Sequence, residues 1–277
     1  MATIAPVNPV DTNSTLQIRL ATSAILAAPS VAGVIFLPTW GVALVWGSVL
    51  GLAAWEWGWL LGGSRRERGA YLAVCALLTG LLLLLPAAVL ALGLPLWALA
   101  AWSIWRFEQG GAPPSRAARL LFAAAALPLA AASLVTLHAQ GGGAACLTLF
   151  TLVWSADSIA YLVGKHCGRR RLAPLVSPGK TREGTVAACL LAPPAALAMA
   201  SALGVPVSAA TTFLISLLPV VLFALVGDLY ESLVKRVAGR KDSGVLLPGH
   251  GGALDRLDSL IAAAPAFYIF VPVVPQL

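Results

Sequence analysis

Runs of leucine, alanine, valine and tryptophan recur along this chain, each close to the thickness of a bilayer's hydrocarbon core and separated by short polar breaks. A segment of this kind finds no water for its backbone inside lipid, so it closes its hydrogen bonds internally as an α-helix. The 277 residues are 59% hydrophobic and 10% charged, with a mean hydropathy of +0.88, which excludes a soluble domain of this size. The fold class is all-α, a polytopic helical membrane protein.

Spans fall at 18–37, 40–61, 70–85, 87–105, 117–138, 144–163, 184–203, 210–227 and 259–275. These make about nine transmembrane helices, each near the ~20 residues a crossing needs. Residues 1–17 form a polar tail, and no basic cluster precedes the first apolar run as a signal peptide would require. Every Lys and Arg falls in the tail region (Arg19) or in 62–69, 106–119, 164–183 and 228–258, while the alternate breaks carry none. By the positive-inside rule the N-terminus and these four loops are cytoplasmic and the C-terminus lies outside. The net charge of +7 then suits topology and anionic lipid head groups rather than nucleic acid. Four cysteines without CxxC spacing read as small core hydrophobes.

One window breaks the apolar pattern. Residues 227–260 hold five of the 11 acidic and five of the 18 basic residues. Asp228 closes an apolar span just after a glycine, at the membrane face. Asp255 and Asp258 are three apart, which puts both on one side of a helix. Between Asp228 and that pair lies PGHGG (248–252), whose small residues let backbone N–H groups approach an anion closely. Carboxylates gathered with Lys and Arg suit a divalent cation bridging a polyphosphate, because Mg²⁺ takes hard oxygen ligands and shares them with substrate phosphate. On composition alone, the same charges read better as solvated helix-end residues in weak surface ion pairs.

Two carboxylates lie inside apolar spans. Glu56, among Trp55, Trp57 and Trp59, reads as an interfacial residue in an aromatic belt. Asp157 is deeper and needs a partner, either a cation or an internal pair with Lys165. The loop at 164–184 contains Ser177-Pro178-Gly179-Lys180-Thr181, a turn offering a hydroxyl, an ammonium and backbone donors suited to phosphate. It lacks the spacing of a P-loop. His138 reads as interfacial and His166 as a loop residue; His250, between glycines, suits a phosphate contact or a structural role equally.

The order Ser232-x-Val234-Lys235-Arg236-x4-Lys241-Asp242-x-Gly244-x2-Leu247-Pro248-x-His250-Gly251-Gly252-x-Leu254-Asp255-Arg256-Leu257-Asp258 resembles the signature of the phosphatidate cytidylyltransferases, or CDP-diacylglycerol synthases. The run LAP-x2-SPGKT-x-EG at 172–184 resembles the same family. Two positions depart from it: Ala253 and Arg182 stand where the family more often has a larger aliphatic and an aromatic residue. The resemblance covers the C-terminal half by motif and the first half by hydropathy. It implies 18–138 as N-terminal transmembrane helices and 139–277 as the catalytic transmembrane domain, with cytoplasmic loops 164–183 and 228–258.

The implied reaction is CTP plus phosphatidate giving CDP-diacylglycerol and pyrophosphate, a step of phospholipid biosynthesis. It requires Mg²⁺, with room for a second, monovalent cation. The expected catalytic residues are Asp228, Asp255, Lys235, Arg236 and Asp258. Ser177, Lys180, Thr181, Lys241, Asp242, His250, Gly251, Gly252 and Arg256 are expected to bind substrate, and Asp228, Asp255, Asp258 and Asp157 to hold metal. The expected setting is a bacterial inner membrane with the site on its cytoplasmic face. Small residues in the seventh span allow close helix approach within one chain or between two copies of a homodimer. A CTP-dependent kinase of isoprenoid alcohols would use similar phosphate-binding parts. An anion transporter would need polar residues along several spans and an internal repeat, and the sequence offers only Asp157 and Glu56.

Overall fold

The structure, a computed structural model, describes residues 28–205, 207, 209–244 and 251–271. Among them the chain forms eight helices and one short hairpin. In order these are α1 (28–36), α2 (Thr39–Leu60), α3 (Arg65–Leu84), α4 (Pro86–Glu108), α5 (Arg116–Cys167), β1 (Arg171–Ala173), β2 (Ser177–Thr181), α6 (Arg182–Ala202), α7 (Ala210–Val237) and α8 (Leu254–Phe270). Four of them, α3, α5, α6 and α7, are long and apolar enough to cross a membrane by length and composition. Each predicted span falls on a helical segment, although 18–27 and 272–275 lie outside the described residues.

Local chemistry sets the boundaries. Ser64 opens α3 with a capping box: its hydroxyl accepts from Glu67 N at 3.3 Å, and Glu67 accepts from Ser64 N at 2.7 Å. Ser115 caps α5 by accepting from Ala118 N at 3.1 Å. The helical path of α5 is interrupted at Gly142, whose φ of 61° and ψ of −164° suit only glycine. Cys146 Sγ lies 4.0 Å from Leu134 O, yet twelve residues of straight helix would separate them by ~18 Å. The chain therefore doubles back at Gly142, and the two expected spans are the two arms of α5.

Three expectations change. The window after Asp228 is not loop at first: α7 runs ten residues beyond the expected end at 227, to Val237. Lys235 and Arg236 in its last turn favour this extension, since cations offset the negative helix end. The second polar stretch folds as an antiparallel hairpin, pairing Arg171 with Thr181 and Ala173 with Ser177. His138 is not interfacial but buried, with its ring nitrogens 3.1 Å from Thr39 Oγ1 and from Val34 O. Of the cysteines, Cys75 and Cys146 are buried, Cys189 half-buried and Cys167 exposed.

The core joins both halves. Tyr230 of α7 stacks on Trp57 of α2 and meets Phe122 of α5 at a tilt, and Trp97 of α4 meets Phe122 edge-on. Helices α7 and α8 approach closely at Gly227, where a Cβ would collide with the Asp258 carbonyl and Ala262. Large apolar side chains such as Trp40, Leu77, Leu121, Leu190 and Ile215 point outward, which suits lipid rather than water.

Candidate active site

Two neighbouring charged groups form where α5, the hairpin, α7 and α8 meet. In the first, Lys180 Nζ of β2 lies 2.5 Å from Asp228 Oδ2 of α7. Ser232, one turn on, donates to Asp228 Oδ1 at 3.4 Å. Ser259 of α8 donates its hydroxyl to Asp157 Oδ1 at 3.3 Å, tying α8 to the second arm of α5. Asp258, whose Oδ1 accepts from Ser259 N at 2.7 Å, interacts electrostatically with Asp228, Asp157 and Lys180. Burial alone would lower the pKa of Lys180, but Asp228, with Asp157 and Asp258, outweighs it and raises the pKa above the ordinary lysine value. Asp157 is exposed as a residue, and the Lys180 and Asp228 side chains are 21% and 22% exposed, so the group is not sealed off.

The hairpin that delivers Lys180 is tied down from three directions. Glu108 at the end of α4 accepts from Leu175 N at 3.0 Å and Val176 N at 2.9 Å. Arg236 Nε donates to Val176 O at 3.2 Å. Glu183 accepts from Arg169 N at 3.0 Å and Arg170 N at 3.2 Å. Thr181, expected to touch substrate, is buried and instead caps α6 by accepting from Gly184 N at 3.2 Å. Ser177 sits half-buried opposite Ala173 at the start of β2.

The second group lies nearer the α7 terminus. Lys235 Nζ is 2.6 Å from Glu231 Oε2 and 2.7 Å from Asp255 Oδ1. Asp255 Oδ2 accepts from Ser243 N, Ser243 Oγ and Gly252 N, each at 2.8 Å. Lys235 is seven residues past Asp228, which places it ~10 Å farther along α7. Of the four aspartates expected to hold metal, Asp228, Asp258 and Asp157 thus meet in the first group, whereas Asp255 belongs to the second.

Sequence reasoning missed Glu56. It is buried, not interfacial, and its Oε1 accepts from Ala253 N at 3.0 Å. Its Oε2 accepts from Leu254 N at 2.8 Å and Ser243 Oγ at 3.3 Å. The first turn of α8 has no side-chain cap at Ala253, so Glu56 of α2 accepts from Ala253 N and Leu254 N, and Ser243 Oγ accepts from Asp255 N at 3.2 Å. The available signal was a carboxylate inside an apolar run, together with a helix start (Gly-Gly-Ala-Leu) that lacks a capping residue.

Lys241, Asp242, Arg236 and Arg256 are exposed around this second group, and Gly251 has φ +79° beside Asp255. His250 lies outside the described residues. Lys165, the alternative partner for Asp157, instead rests 5.8 Å from the Tyr161 ring centre.

Among the described residues, no three Asp, Glu, His or Cys side chains are already gathered at coordination geometry. The first group is short of positive charge. Three carboxylates face one ammonium, formally two negative charges in excess beside an apolar core.

A family model described as the cytidylyltransferase family matches residues 17–274. A phosphatidate cytidylyltransferase of Pseudomonas aeruginosa is 39% identical over 258 residues, covering 91% of this chain and 95% of the relative. One from Brucella abortus is 40% identical over 196 residues, 70% of each chain. One from Haemophilus influenzae is 46% identical over 127 residues, 45% of this chain and 44% of its own.

Proposed function

The chain belongs to the cytidylyltransferase family, and from that premise we propose that it transfers the cytidylyl group of CTP to phosphatidate, forming CDP-diacylglycerol and pyrophosphate. The observation that carries the reading at the residue level is the Lys180–Asp228 pair set beside Asp157 and Asp258. It supplies both signs of charge at one open point, which is what joining two phosphates requires.

The phosphatidate phosphate is already anionic, so its oxygen attacks the α-phosphorus of CTP without a protein nucleophile or general base. The bond to the β-phosphate oxygen breaks and pyrophosphate departs. What remains for the protein is in-line positioning and relief of charge repulsion. Lys180 turns its ammonium from Asp228 toward phosphate oxygens, held in place by the anchored hairpin. Arg236 and Lys241 add positive charge at the same face, and the exposed Arg256 joins them. Asp228, Asp258 and Asp157 would hold Mg²⁺, whose contribution when bound is to neutralise the triphosphate. Asp255 and Lys235 keep the start of α8 fixed, and through it Asp258.

The chain is an integral membrane protein, and we place the N-terminus and the site on the cytoplasmic side with nine crossings. The lysine and arginine distribution supports this placement. Phosphatidate keeps its acyl chains in the bilayer while CTP arrives from the cytoplasm of a bacterial inner membrane.

The deciding experiment incubates purified protein with phosphatidate, Mg²⁺ and CTP labelled in cytosine. Label entering the lipid together with released pyrophosphate is the expected result. Label remaining in water as CDP would make the chain a lipid kinase instead.

A further inference from the structure

We infer that the groove between α2, α3 and the first arm of α5 binds one acyl chain of an anionic phospholipid, with its phosphate at Arg68. The groove encloses about 610 Å³, within the roughly 300–1,000 Å³ typical of ligand sites. Leu44, Gly47, Trp55, Cys75, Thr79 and Pro128 are among the residues lining it. Its hydroxyls are already spent: Ser48 donates to Leu44 O at 2.8 Å and Thr79 to Cys75 O at 2.9 Å. The lining therefore offers nothing to water and a continuous apolar wall to a hydrocarbon.

Length and surroundings point to a lipid tail. On α2 the lining runs from Ala43 to Trp55, ~18 Å at 1.5 Å per residue. That is close to half of a hydrocarbon core of ~30 Å, the depth one acyl chain occupies. Leu44, Leu52 and Leu77 around it are exposed large apolar residues on membrane helices, so the groove opens toward lipid.

The Trp55 end carries the charge. Arg68 lies over the Trp55 ring, 4.4 Å from its centre, and its Nε is buried without a hydrogen-bond partner. A guanidinium stacked on a tryptophan of the lining brings positive charge to that end of the apolar groove, and its terminal amino groups suit a phosphate oxygen. Arg65 and Arg66 stand exposed on the same turn, while the acidic residue there, Glu67, pairs with Arg116 at 3.8 Å. The surplus of positive charge selects a lipid of net negative charge over a zwitterionic one.

This site lies on other elements than the reaction group and rests only on the reading of α2 and α3 as membrane helices. The test uses the delipidated full chain in neutral detergent and native mass spectrometry. The probe is phosphatidylglycerol, which lacks the phosphomonoester needed for cytidylyl transfer, compared with phosphatidylcholine of the same chains. One retained phosphatidylglycerol, favoured about fivefold over phosphatidylcholine, is expected. Gly47→Leu fills the groove without a clash, because nothing lies within 4 Å of a Cβ there. Gly47→Leu and Arg68→Gln should each lower retention about fivefold and Arg68→Lys restore it. Equal retention of the two lipids by the unmodified chain, or unchanged retention in Arg68→Gln, overturns the inference. Since turnover is not the readout, failure here leaves the cytidylyl transfer standing.

Discussion

Replacing Asp228 with asparagine removes the charge that holds Lys180 at 2.5 Å and leaves the backbone of α7 in place. Turnover should fall by about 10²-fold or more, the scale for losing a charge-stabilising group at a reaction centre, with only a modest drop in melting temperature because both side chains of the pair are partly exposed. Asp255→Asn should behave differently, because that carboxylate carries Lys235 and three donors from Ser243 and Gly252. Breaking so buried a pair costs about 3 kcal/mol or more, so stability and turnover should drop together in denaturant titrations. Near-normal turnover in Asp228→Asn would remove Asp228 from the reaction group. Lys180 also has a pH signature. Its folded pKa is raised, so the stability it contributes is complete below the unfolded value of ~10.4 and lost only as pH climbs through the folded one. The melting difference between the native chain and Lys180→Met should therefore be the same at pH 7 and pH 9.

Helix α8 begins correctly because another helix caps it. Glu56→Gln keeps the shape but loses the negative charge opposite the N–H groups of Ala253 and Leu254 and a Ser243 hydroxyl shared with Asp255. The expected cost is about 1–2 kcal/mol. Hydrogen exchange should quicken at residues 253–255, and kcat should fall although Glu56 is buried behind the start of α8. Unchanged exchange would reduce Glu56 to an ordinary buried residue. The α7–α8 contact is a second element-level test. Gly227→Val drives a side chain into the Asp258 carbonyl and Ala262, so the two helices must part. Circular dichroism should remain helical while turnover is lost, since Asp228 and Asp258 sit on the helices being separated.

At the scale of the whole molecule, the site joins segments that the chain keeps far apart. Chelation with EDTA should abolish turnover, and added Mg²⁺ should restore it; turnover that survives chelation would refute the metal proposal. Topology has its own measurement. If the C-terminus lies outside, as proposed, a C-terminal alkaline phosphatase fusion should be active and a C-terminal green fluorescent protein fusion dark. The reverse pattern would move the site to the opposite face.

Hydrophobic runs of bilayer length leave a chain no option but helices, so the helical class could be read from residue order alone. The break between the arms of α5 was legible too, in the glycines at 141–143. The two polar stretches were visible as the seat of the chemistry, because charge in an apolar chain must be solvated or paired. Which carboxylates would share a group was not visible. Spacing puts Asp255 and Asp258 on one helix face, but only the register of α8 against α7, fixed by the close approach at Gly227, sets Asp258 beside Asp228 and gives Asp255 to Lys235. Thr181 and Glu56 exchanged their expected standing for the same reason. A hydroxyl or a carboxylate takes its role from whichever backbone donors packing brings to it, and those donors come from residues 3 and 197–198 positions away.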